Sequence, residues 1–135
     1  MTIRTTFISA ASATKNAVNS QLFTLRSANM NSTADQSFAK QGSFTRYQIT
    51  SIVAIVKTGA PTASVGGIYT AAAKGGTAIV TAAQAYTVLS AVDKVLNLTL
   101  ASLTDVLQAT PILSLTTANG TAATADIFIY GNVLD

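Results

Sequence analysis

Residues 111–135 read PILSLTTANGTAATADIFIYGNVLD, and their periodicity decides the fold class. Leu113 and Leu115 alternate with Ser114 and Thr116, while Ile127 and Ile129 alternate with Phe128 and Tyr130. A period of two sends successive side chains to opposite faces of a strand. Asn119-Gly120, between the runs, is the strongest turn dipeptide in the chain. The stretch therefore reads as two strands facing each other across a turn. The second run is apolar on both faces, which reads as a strand covered on both sides, in a sheet interior or at a subunit contact.

Working outward, the same pattern recurs upstream. KVLNLTLA (94–101) points Leu96, Leu98 and Leu100 one way and Asn97 and Thr99 the other. GGIYTAAA (66–73) and TAIVTAAQAYTVL (77–89) flank Lys74-Gly75-Gly76 and read as a hairpin. Alanine favours helix, but 78–92 has no amphipathic charged face, so strand and loop are expected. FTRYQITSIVAIVKTG (44–59) reads as one long strand, straight or bent, closed by the turn signal Gly59-Ala60-Pro61. SLTDVLQATP (102–111) is a connection. Short strands separated by turn signals, with no secure helix, predict an all-β protein: a jelly-roll-like antiparallel β-sandwich.

Residues 1–43 have a different composition, rich in Ser, Thr, Asn and Ala with isolated apolar residues. They are expected to form a polar N-terminal arm or extended segment, with the β-sandwich domain at 44–135. Within the arm, QLFTLRSA (21–28) has weak alternation compatible with a first strand, and 27–43 reads as polar loop.

The chain has 135 residues, which suits one domain with its own core. Charged residues make up 10%, against a usual quarter, so the surface is built from Thr, Ser, Asn, Gln and Ala. Such a surface suits burial against a partner. Net charge is +3, but the eight Lys and Arg never cluster, which argues against a nucleic-acid groove. Apolar stretches fall short of the roughly 20 residues of a membrane-spanning helix. MTIRTTFISAASATKNA (1–17) imitates a signal peptide, but its apolar part is too short and too rich in Ser and Thr.

Chemistry is scarce. There is no Cys, no His and no Glu, and the five Asp are scattered. Thiol nucleophiles, the usual zinc ligands and the commonest proton-transfer group are missing. SVGGIYT and AKGGTA do not match a phosphate-binding loop. No stretch gathers the oxygen ligands of a calcium loop, and no S-x-x-K stretch occupies a nucleophile elbow. Asp93 and Asp126 could meet only in three dimensions. Tyr47, Tyr69, Tyr86 and Tyr130 are the candidates for stacking on sugar rings. The expectation is a non-enzymatic binding protein with no catalytic residue, metal or cofactor.

GGIYTAAAKGGTAIVTAAQAYTVL, KVLNLTLA and LSLTTANGTAATADIFIYGNVLD together resemble the head decoration (cement) proteins, and related small virion structural proteins, of tailed bacteriophages. The resemblance covers about residues 44–135. It implies a jelly roll that trimerises on the outer capsid surface, with the major capsid protein as partner, and it carries no active-site residues. The location implied is the virion surface, after assembly in the host cytoplasm. The expected partner contacts are Ile3, Phe7, Ile8, Leu22 and Phe23 in the arm, and Phe128 and Tyr130 on the final strand. The alternative is a tail- or fibre-associated sandwich that binds a host receptor or glycan.

Overall fold

The computed structural model describes residues 19–101 and 106–135. Its strands are β1 (Ser20–Asn29), β2 (Gln36–Ser37), β3 (Ala39–Lys40), β4 (Tyr47–Thr58), β5 (Val65–Ala71), β6 (Gly75–Val80), β7 (Val95–Asn97), β8 (Ile112–Thr117) and β9 (Thr124–Val133). Among the described residues there is no helix. Two antiparallel sheets result: a five-stranded sheet ordered β3-β1-β9-β4-β7, and a four-stranded sheet ordered β2-β8-β5-β6. The expected all-β, two-sheet antiparallel architecture is what the chain forms.

Alternation explains the core. Leu22, Phe23, Ile52, Ile127 and Ile129 from the five-stranded sheet join Ile68, Ile79, Leu113 and Leu115 from the four-stranded sheet in one buried cluster. Phe23, Phe44 and Tyr47 meet edge to face, with ring centroids 5.0–5.7 Å apart, the arrangement aromatic quadrupoles prefer. Burial raises the Tyr47 hydroxyl well above its ordinary pKa. The hydroxyl donates to the Ala109 carbonyl, so the neutral group is satisfied inside the core.

The boundary expected at 43 does not exist in the fold. β1 pairs with β9 along its length, from Ser20 opposite Gly131 to Asn29 opposite Thr124. Leu22 and Phe23, expected as partner contacts, are fully buried. The polar residues around them misled the composition argument: Gln21, Thr24 and Arg26 occupy the opposite face of the same strand. Only the strand alternative for 21–28 carried the right placement.

The turn between 113–116 and 125–134 is also corrected. β8 and β9 lie in different sheets, so Asn119-Gly120 closes no hairpin. It sits in a crossing loop as a junction. Asn119 Oδ1 accepts from the Ala63 N–H, and its Nδ2 donates to the carbonyls of Ala60 and Thr121. Its own N–H donates to the Met30 carbonyl. Gly120 takes a φ of +89° and donates its N–H to Asn31 Oδ1.

The hairpin at 66–80 holds, with a different turn. Ala71 faces Gly75, so the loop is 72–74. Ala73 and Lys74 occupy left-handed positions at φ of +55° and +60°, unusual for non-glycine residues. Asp35 stabilises this shape by accepting the Ala73 N–H at 2.8 Å. Residues 81–94 form consecutive turns, closed by bonds from Gln84 to Thr81, Leu89 to Tyr86 and Lys94 to Ala91. Buried Tyr86 and Leu89 pin this alanine-rich loop to the core. Leu96, Leu98 and Leu100 turn inward as their alternation requires, although only 95–97 are strand.

Candidate interaction surface

The core claims one face of the five-stranded sheet, and the register defines the other. On β9 the outward residues are Asp126, Phe128, Tyr130 and Asn132. Thr24, Phe128, Val53 and Asn97 stand side by side across β1, β9, β4 and β7. The next row is Asp126, Ile55 and Val95, and on the other side lie Gln21, Tyr130 and Ser51, then Asn132 and Gln48. The face is thus graded. One end carries Val53, Ile55, Val95 and Phe128; the other carries Tyr130 among amides and hydroxyls. Val53, Ile55, Phe128 and Tyr130 are half-buried, and Val95 is 50% exposed. Val88 and Val92, on the loop that precedes β7, are exposed as well.

A β-bulge sets the charged margin. The β1–β9 register shifts between Leu25 and Ala28, and Ser27 takes a φ of +51° there. Bulges re-aim side chains. Here Arg26 swings over the Phe128 ring, 5.0 Å from its centroid, while the Ser27 N–H donates to Asp126 Oδ1 at 2.7 Å. Arg26 and Lys57 reach Asp126 Oδ2 at 3.4 and 3.8 Å. The Asp126 side chain is only 11% exposed, against 67% and 54% for its two partners. Two cations share one sheltered carboxylate, so the margin keeps an unbalanced positive charge.

Other clusters are structural in geometry. Lys74 Nζ donates to Ser114 Oγ at 3.2 Å, the reverse of the direction in which a base activates a nucleophile. Ser114 is buried in mid-strand. Asp35 joins this cluster, its carboxyl held below the usual range chiefly by the Ala73 N–H, then by the Ser114 hydroxyl and the Lys74 charge. A cleft of about 360 Å³ is lined by Lys40, Gly42, Ser43, Phe44, Thr45 and Asp135. Its charged groups are engaged: Lys40 Nζ donates to the Phe44 carbonyl at 2.6 Å, and Asp135 accepts from both Thr45 donors and the Arg46 N–H. Among the described residues, no three of His, Cys, Asp and Glu converge on a metal-binding arrangement. Among the same residues, no helix is long and apolar enough to cross a membrane.

Of the residues expected at a partner contact, Phe128 and Tyr130 share the outer face. Leu22 and Phe23 belong to the core, and Ile3, Phe7 and Ile8 lie outside the described residues. Val53 and Ile55 were not singled out from the sequence. The signal was present: Ile52 to Val56 is apolar on both parities, as is 125–134. No protein-family model, curated protein or solved structure gives a significant match to this chain.

Proposed function

We propose that this chain is a non-enzymatic virion structural protein that binds the outer capsid surface as a homotrimer and stabilises the head. The observation that carries the proposal is the outer face of the five-stranded sheet. Phe128, Tyr130, Val53, Ile55 and Val95 form an apolar surface on a molecule with few charges. Aromatic residues and arginine are the types enriched at interface centres, and the Arg26 guanidinium sits over the Phe128 ring beside this surface. The strand order adds support. The two antiparallel sheets, β1-β9-β4-β7 with β3 at the edge and β2-β8-β5-β6, are compatible with the jelly roll the resemblance implies. Fold alone does not assign function, so the resemblance of 44–135 to decoration proteins carries the identity of the shell.

Two measurements test the proposal. Sedimentation at low micromolar concentration should give a species three times 13.8 kDa; a monomer alone rejects the trimer. Antibody labelling of isolated particles should find many copies over the head. A few copies at the tail would select the second reading, a receptor- or glycan-binding sandwich. One observation favours that reading: Tyr130 stands among Gln21, Ser51, Gln48 and Asn132, an aromatic ring with the amides and hydroxyls that sugar recognition uses.

A further inference from the structure

Asn119-Gly120 is the one Asn-Gly pair in the chain, and such a pair carries a chemistry of its own. The backbone nitrogen that follows an asparagine can attack the asparagine's side-chain carbon. Glycine leaves that approach open, because it has no Cβ and a wide choice of φ. In this reaction the Gly120 nitrogen gives up its proton and bonds to Asn119 Cγ. The Cγ–Nδ2 bond breaks, and Nδ2 leaves as ammonia with that proton. A five-membered imide remains. Water then opens it at either carbonyl, to aspartate or to isoaspartate, whose main chain runs through the former side-chain carbon. Water is the only co-reactant.

The fold holds both reacting groups. Asn119 Nδ2 donates to the Ala60 carbonyl at 3.2 Å, and to the Thr121 carbonyl and Thr121 Oγ1 at 3.1 Å. Ammonia cannot leave until these bonds break. Asn119 Oδ1 accepts from the Ala63 N–H at 3.0 Å, which fixes the carboxamide from its other side. The nucleophile is held too: the Gly120 N–H donates to Asn31 Oδ1 at 2.6 Å. Removing that proton would set the nitrogen lone pair against the Asn31 oxygen, so the bond disfavours the form that attacks. We propose that Asn119 is a deamidation site kept silent by this junction, and that conversion, once made, keeps the junction from closing as before. The product has no Nδ2. It turns an oxygen toward the Ala60 and Thr121 carbonyls, which lose their donor, and isoaspartate lengthens the main chain as well. A junction that opens for long enough is thereby marked permanently at one residue. The proposal does not rest on the capsid assignment.

Peptide mass spectrometry of the full chain reads the change from amide to acid at residue 119. The parent is incubated in mildly alkaline buffer, folded and, in parallel, unfolded in guanidinium chloride. Conversion is expected to be at least about tenfold slower in the folded chain, because its rate follows the fraction of time the junction is open. Asn31→Ala removes the acceptor of the Gly120 N–H and should speed conversion in the folded chain several-fold. Asn31→Asp keeps an acceptor oxygen and should keep the parent rate. Ile79→Val, a core change in β6 with no bond to the junction, controls for a general loss of stability and should also convert at the parent rate. Equal rates in the folded and unfolded parent overturn the proposal. So does an Asn31→Ala rate equal to the parent's, or one matched by Asn31→Asp or Ile79→Val. Asn119→Asp stands for the aspartate product. Its guanidinium midpoint should lie below the parent's with an unchanged slope, and an equal midpoint overturns the permanence of the mark.

Discussion

Asn119 illustrates how one polar side chain does the work of several backbone contacts. It ties the loop at 60–63, the loop after β1 and the approach to β9 through one carboxamide and one N–H. Asn119→Ala keeps the backbone bond to Met30 but leaves the Ala63 N–H and Ala60 carbonyl without their partner. The Ala63 N–H is exposed and can turn to water, whereas the Ala60 carbonyl is partly buried; the loss is about 1 kcal/mol, and urea unfolding should reveal it without a change in slope. Two carboxylates make a different prediction. Asp35 and Asp135 are held below their ordinary value of 3.8, by the N–H of Ala73 and of Thr45 respectively as the first cause. A carboxyl whose folded value is depressed stabilises the fold above the unfolded value. That contribution is lost as pH falls through the folded value. Thermal stability should therefore start to fall below about pH 4, and Asp35→Asn with Asp135→Asn should flatten this acid limb. An acid limb unchanged by the pair would assign it to other groups.

At the scale of the element, β9 separates what alternation reveals from what it conceals. The sequence places Ile127 and Ile129 opposite Phe128 and Tyr130, and the structure keeps that division. It could not say which side is core, because both are apolar and burial is decided by partners about a hundred residues away. The same limit hid β1. Local composition marked 20–29 as polar, while its inward residues meet Ile127 and Ile129 at the other end of the chain. The hairpin was legible where strands are neighbours, as between β5 and β6, although its loop is 72–74 and not Lys74-Gly75-Gly76; turn chemistry misled at Asn119-Gly120, where the chain changes sheets. Adjacent substitutions in β9 test the division. Ile129→Asp buries an unpaired charge in the core and should cost upwards of about 4 kcal/mol, leaving the chain unfolded or aggregated. Phe128→Asp changes the outer face, so its circular dichroism should match the parent chain. In sedimentation it should lose whatever self-association the parent shows. Equal loss of fold in both variants would mean that the outer face is core.

For the whole molecule, the two ends of the chain make one structure. β1 supplies Leu22 and Phe23 to the core, and Ala28 and Met30 follow them as fully buried residues. β1 is also the only strand neighbour of β9 opposite β4 in the five-stranded order. A chain beginning at Ser43 would lose all of this together with β2 and β3. Removing one large core side chain costs about 2–5 kcal/mol, and at least three go at once, against a typical total stability of about 5–15 kcal/mol. The truncated chain should therefore not fold, and its circular dichroism should lack the strand signal of the full chain. Adding the missing strand as a separate peptide covering 19–42 should restore part of that signal, since its backbone groups have open partners on β9 and its apolar residues have a waiting core. Pairing of Ser20 with Gly131 further requires closure of nearly the whole chain, so the full protein should refold in milliseconds to seconds, not microseconds. A Ser43 chain that folds and self-associates as the parent does would return residues 1–43 to the role of a dispensable arm and remove β1 from the fold.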